Sequence, residues 1–315
     1  MTDYPENDKS EARFIEIDGE RAGQRIDNFL MAQLRGVPKS MIYKILRTGQ
    51  VRVNKGRIKP VYRLQAGDVV RIPPLRVGAE TEEVTPGQGV LRQIEQSILF
   101  EDDGLIVLNK PSGIAVHGGS GLSYGVIEAM RKLRPELQGL ELVHRLDRET
   151  SGCLLLAKKR SVLRQLHELM REGKVGKHYL ALCQGKWRGG ARDVDAPLLK
   201  NTVSSGERMV RVSPAGKEAL SRFTPQQRFK AATLMEVELM TGRTHQIRVH
   251  AAHCGHPLAG DEKYGDKEFN QQMKELGLRR LFLHAQRLYF PWEGGCREFQ
   301  APLGDDLEAV LKRLV

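Results

Sequence analysis

The positive charge of this chain is gathered near one end, and that limits how the chain can fold. Between Phe14 and Arg76, thirteen basic residues face five acidic ones, a net +8 within 63 residues. The other 252 residues hold 37 basic and 34 acidic groups, only +3 of the total of +11. Such a block reads as a small module with a surface of its own, suited to a polyanion. A length of 315 residues leaves room for a second, larger domain, and 40% hydrophobic residues supply its core. The longest unbroken apolar runs, Cys153 to Ala157 and Tyr179 to Cys183, are five residues each. A spanning helix needs about 20, so no membrane segment is expected. The opening MTDYPENDKSEAR is polar, without an apolar stretch of leader type. Residues 1–13 are expected to be a disordered tail, and the chain to be cytoplasmic. Four cysteines without a CxxC pair argue against a disulfide framework or a structural zinc.

The basic module has readable local structure. Ile26, Phe29, Leu30 and Leu34 recur on one helical face. A second helix follows Gly36-Val37-Pro38, with Met41, Ile42, Ile45 and Leu46 expected inward, and Gly49 ends it. Lys44 and Arg47, three apart, share its outer face. Val51-Arg52-Val53 alternates as a strand, Asn54-Lys55-Gly56 turns, and Val69 to Ile72 forms another strand before Pro73-Pro74. The sequences RIDNFL, KSMIYKILRTGQVRVNK and YRLQAGDVVRI together resemble an S4 domain, a small α/β RNA-binding module. The resemblance implies that 14–76 binds structured RNA through backbone and shape, with Lys39, Lys44, Arg47, Arg52 and Lys55 as contacts. Residues 77–96 hold several glycines, prolines and acids with little periodicity and read as a flexible linker.

From about Ser97 the pattern is α+β. Apolar or alternating runs at Leu105–Leu108, Glu141–Asp147, Cys153–Ala157, Lys177–Gln184, Thr233–Leu239, Leu281–Ala285 and Leu288–Phe290 read as strands. Helices are expected after Ser161, read as an N-cap, and at the C-terminal end, where Leu307, Val310, Leu311 and Leu314 share a face. Few helices between strands predict a mainly antiparallel or mixed sheet with flanking helices over 97–315.

Within it, His144-Arg145-Leu146-Asp147-Arg148-Glu149-Thr150-Ser151-Gly152 sets a carboxylate between two arginines at a strand-to-loop junction. Nearby cations favour an ionised Asp147 able to act as nucleophile or base. On spacing alone, such Asp-Arg neighbours are more often a surface ion pair than a catalytic site. HRLDRETSG is, however, similar to the signature of the ribosomal-type pseudouridine synthases, which isomerise uridine in RNA. NKPSGIAVH (109–117), KHYLA (177–181), GRTHQIRVH (242–250) and GHPLAGDEKYG (255–265) stand in the family's order. The resemblance implies an isomerase of uridines in large-subunit (23S) ribosomal RNA, hence a part in ribosome biogenesis, with Asp147 as its catalytic aspartate. Arg248 would pair with Asp147, Tyr179 would stack on the uracil and could also move the C5 proton in the final step, and Arg145 would fill the space the flipped nucleotide leaves. The isomerisation exchanges no electrons, so no cofactor is expected. A monomer is the expected state.

His245, His250, His253, Cys254 and His256 crowd one stretch, but helical spacing scatters them, so no metal site is expected. A non-catalytic RNA-binding protein of the same fold is the competing reading. A metal-dependent nuclease would need clustered carboxylates, which the sequence lacks.

Overall fold

A computed structural model of the chain describes residues 11–19, 21–34, 37–75, 86–119, 124–137, 139–202 and 208–314. Contacts separate residues 1–84 from 85–315 as two units. Arg35, Arg76 and the first ten residues of the expected tail lie outside the described residues.

In the first unit, β1 (Arg13–Glu16), β3 (Val69–Ile72) and β2 (Arg52–Val53) form an antiparallel sheet in that order. Arg13, expected in the tail, instead begins a strand, because Ile15 pairs with Val70 on the inner face. Helices α1 (Ile26–Gln33) and α2 (Lys39–Arg47) bury Ile26, Phe29, Leu30, Ile42, Ile45 and Leu46 with Val53, Val70 and Ile72 of the sheet. Met41, expected inward, is exposed, since Ile42, Ile45 and Leu46 already fill the buried face of α2. Gly49 ends the helix at φ 71°, with the Arg57 side chain packed against its α-carbon.

The second unit opens on α3 (Gln88–Gln96). The expected linker therefore ends in a helix, because Leu91 and Ile94 bury against α4 (Val126–Leu133) and the sheet. Two core residues in nine make a weak signal beside so many glycines and acids. The remaining elements are β4 (Ile98–Glu101), β5 (Leu105–Lys110), β6 (Glu141–Leu142), β7 (Ser151–Ala157), α5 (Arg160–Arg171), β8 (Gly176–Gln184), β9 (Arg192–Asp195), β10 (Leu198–Thr202), β11 (Arg208–Val212), β12 (Leu220–Arg228), β13 (Ala232–Leu239), α6 (Gln246–His253), α7 (Lys267–Glu275), β14 (Leu283–Trp292), β15 (Gly295–Gln300) and α8 (Asp305–Arg313).

Ten of these strands make one mixed sheet, β4-β5-β7-β14-β8-β13-β12-β9, with β15 beside β14 and β6 beside β7. Every pairing is antiparallel except β7 with β14. Alternation sorts β8 between two cores. Tyr179, Ala181 and Cys183 join the α3–α4 side, while Leu180 and Leu182 join Phe269 and Met273 of α7 and Leu307 and Val310 of α8. Burial on both faces explains why β5 and β7 read as continuous apolar runs.

Three expected boundaries move. The two C-terminal strands are one, β14, broken only by a bulge between Ala285 and Arg287. Helix α5 starts at Arg160 with Lys159 at its N-cap, so Ser161 lies in the first turn and caps nothing. Strand β6 stops at Leu142 rather than reaching Asp147. Beyond it, Val143 still donates its N–H to Leu155 O, but Leu155 N–H turns to His144 Nε2 and Val143 O accepts from His167. Side chains thus replace the ladder, and the backbone peels away into a loop. No helix among the described residues is long and apolar enough to cross a membrane.

Candidate active site

Asp147 stands in the loop between β6 and β7, and the loop is stitched down on both sides. Thr150 N–H donates to Asp147 O, closing a turn. Next to it lies the 110–114 turn. Gly113 N–H donates to Arg148 O at 2.9 Å, Arg148 Nε returns a bond to Gly113 O, and Ser112 Oγ donates to Glu149 O at 2.7 Å. Lys110, fully buried, closes the brace: its Nζ donates to Pro111 O, Ile114 O and Arg148 O at 2.7, 2.8 and 3.1 Å. Burial pushes the Lys110 pKa down to about 7, while three carbonyls surround the three donor positions of an ammonium. The loop then enters β7 through Gly152 at φ 108°, where a Cβ would strike the Ala285 carbonyl of the parallel strand.

Arg248 reaches Asp147 from α6, and the start of that helix is fixed as firmly. The Gln246 amide satisfies all its positions: Oε1 accepts from Thr241 Oγ1 and Arg243 N, and Nε2 donates to Leu220 O and Ser221 Oγ. Ser221 Oγ donates onward to His250 Nδ1, and His250 Nε2 donates to Ala196 O. With both neighbours pinned, Arg248 has little freedom.

Arg248 does not pair first with Asp147. Its Nε and Nη2 donate to Asp261 Oδ2 and Oδ1, both at 2.7 Å, in a two-pronged bond to a carboxylate with no exposed side-chain surface. Asp261 also accepts from the backbone N–H of Lys263 and Tyr264. Burial works against the ionised form of Asp261, but the bonds and charge of Arg248, with the two backbone N–H groups, together outweigh it and hold its carboxyl below the ordinary range. The remaining nitrogen, Nη1, stands 3.7 Å from Asp147 Oδ2. Arg248 therefore serves two carboxylates, one as an anchor and one as a target, and its guanidinium lies over the Tyr264 ring at 5.1 Å.

Tyr179 is buried on β8, on the same sheet face as Ala181 and Cys183. Burial, and secondly the charge of Asp147, push its phenol above its ordinary value. Asp147, Arg248 and Tyr179, from three separate sequence motifs, are thus brought together. Arg145 is exposed in the same loop, and among the described residues its side chain has no partner. His144, which accepts the Leu155 N–H, is held neutral by burial, with its pKa down to about 4. In the other unit, Lys39, Lys44, Arg47, Arg52 and Lys55 are all exposed. Arg52 bends back to Gly49 O and Lys55 O at 3.4 and 3.3 Å.

Other clusters were candidates for chemistry. The histidines of 245–256 diverge: His245 meets Tyr264, His250 meets Ser221 and Ala196, and His256 meets Gln184 O. Among the described residues no three His, Cys, Asp or Glu side chains are grouped to hold a metal. A cavity of about 360 Å³ is lined by Lys110, Ser112, Ser151, Arg280 and His284, and by none of the three residues above. Its Ser151–His284 contact of 2.9 Å looks like a nucleophile–base pair. Ser151, however, is buried and accepts from Arg280, while His284 Nε2 donates to Ala301 O. That pair is fully bonded within the fold.

Lys110, Asp261 and His245 were not assigned roles from sequence, although all three sit inside the quoted motifs. A buried lysine at a strand end and an acid downstream of the arginine helix were the available signals.

Comparison with known proteins places this geometry. Residues 104–253 match the RNA pseudouridylate synthase family and 24–70 the S4 domain. Ribosomal large subunit pseudouridine synthase C of Pasteurella multocida (strain Pm70) is 58% identical over 305 residues, covering 96% of this chain and 94% of the relative. The protein of that name from Escherichia coli (strain K12) is 57% identical over 307 residues, 96% of each. The structure of Human RNA Pseudouridylate Synthase Domain Containing 4 superposes with a TM-score of 0.60 at 28% identity, over 72% of this chain and 97% of that one.

Proposed function

Because this chain belongs to the RNA pseudouridylate synthase family, we propose that it isomerises specific uridines of large-subunit ribosomal RNA, with Asp147 as the catalytic carboxylate. The observation that carries the assignment is the meeting of Asp147, Arg248 and Tyr179 from three motifs, with one arginine nitrogen turned to the carboxylate. The C1′–N1 bond breaks, the uracil turns, and C5 joins C1′ as the C5 proton leaves. Asp147 acts at the sugar as nucleophile or base, and Arg248 keeps it ionised and aimed. Tyr179 stacks on the flipped uracil, and its raised phenol favours that role over proton transfer. Arg145 fills the space left in the RNA. An isomerisation must also keep water from the broken bond, which suits a half-buried carboxylate on a braced loop.

Residues 14–76 serve as the docking module and 97–315 as the catalytic one. Lys39, Lys44, Arg47, Arg52 and Lys55 meet phosphates. The protein acts as a monomer in the cytoplasm, on RNA before or during ribosome assembly. The test uses ribosomal RNA labelled with tritium at uracil C5. Wild type releases tritium to water, and Asp147→Asn binds the RNA but releases none. Retained turnover in Asp147→Asn would overturn the catalytic assignment, and no release by wild type would overturn the function.

A further inference from the structure

We infer that His245 is a second positioning residue for Asp147, acting as a neutral imidazole whose Nε2–H points at one carboxylate oxygen. The inference rests on the reading of Asp147 as catalytic and extends it. The chain of contacts starts at β11, which pairs with β10. Val210 N–H donates to Tyr264 Oη at 3.0 Å, so that oxygen is already accepting. Tyr264 Oη lies 2.8 Å from His245 Nδ1, and among the described residues no other acceptor takes the hydroxyl proton. Given to Nδ1, that proton fixes the tautomer, leaving the ring's own hydrogen on Nε2. The opposite tautomer would turn a lone pair toward a carboxylate and waste the hydroxyl proton.

Nε2 stands 3.9 Å from Asp147 Oδ2, the same oxygen that Arg248 Nη1 faces at 3.7 Å. Both separations exceed hydrogen-bond length, and such contacts commonly tighten in the reacting complex. Two donors converging on Oδ2 leave Oδ1 as the oxygen presented to the sugar. Burial favours the neutral ring. His245 also holds a left-handed backbone, φ 54°, which is uncommon for a residue other than glycine. A helix start alone would be met at lower cost by glycine or asparagine, so the histidine at this position points to work done by its ring.

Two variants separate positioning from packing. His245→Asn tolerates the left-handed backbone and keeps an acceptor for Tyr264, but has nothing in place of Nε2–H. His245→Gln sets an amide N–H where Nε2–H was. The assay is single-turnover tritium release from C5-labelled ribosomal RNA, with RNA binding measured in parallel. In His245→Asn the saturating rate falls by about 10- to 100-fold, the worth of one donor to a charged group, while half-saturation stays within about 2-fold. In His245→Gln the rate returns to within about 5-fold of wild type. A wild-type rate in His245→Asn, or a His245→Gln no faster than His245→Asn, overturns the inference. If wild type itself releases nothing, the proposed function fails instead.

Discussion

The two units use charge in opposite ways. On the outer face of α2, Lys39, Lys44 and Arg47 stand exposed, and among the described residues their side chains have no ion pair. Around Asp147, Arg248 is bound two-pronged by a buried carboxylate. An exposed cation keeps its water and, on the proposed function, is open to a phosphate. A buried one must be matched inside the protein, and the matching carboxylate fixes where its free nitrogen points. On that reading, affinity and geometry are built from the same residue types at different burial.

Breaking the buried pair should have the largest effect. Asp261→Asn leaves Arg248 without its anchor, so urea unfolding should show a loss of about 3–5 kcal/mol. Single-turnover tritium release should fall by about 100-fold or more as Nη1 loses its aim. Stability within about 1 kcal/mol of wild type would remove Asp261 from the account. Replacing Lys39, Lys44 and Arg47 together by alanine should leave stability within about 0.5 kcal/mol, as expected of exposed sites. RNA affinity should fall, and its logarithmic dependence on salt should flatten by about 0.9 for each phosphate no longer neutralised, read from binding isotherms at several salt concentrations.

A smaller effect separates the units by pH. All nine histidines follow residue 116, so none belongs to the basic unit. His144 titrates near 4 in the fold against 6.5 in the open chain. As pH falls from 6.5 toward 4, the unfolded chain takes a proton that the folded ring refuses, so stability is lost across that window. The full loss is at most about 3 kcal/mol. His144→Gln should flatten the slope of unfolding free energy against pH between 4 and 6.5. An unchanged slope would mean that the ring is not held neutral.

Much of this was legible in the sequence, and the failures have physical causes. Tyr179, Ala181 and Cys183 announced their shared face because β8 alternates between two cores. The segment from Glu141 alternates equally well, yet its ladder ends where His144 takes the Leu155 N–H, a tertiary contact that no local pattern encodes. Helix α3 was hidden because only Leu91 and Ile94 mark its buried face. At the site, Arg248 and Asp147 were expected as partners. Asp261 went unseen because its bond closes across thirteen residues of helix and turn. Lys110 was missed because a lysine at a strand end ordinarily points to water.

The separation of docking from chemistry is tested most directly by one rate, measured at saturating enzyme. With enzyme in excess over C5-tritiated ribosomal RNA, the triple variant of Lys39, Lys44 and Arg47 should reach the wild-type single-turnover rate, while Asp147→Asn should show none at any concentration. A triple variant that stays slow at saturation, or an Asp147→Asn that recovers at higher enzyme concentration, would contradict the account.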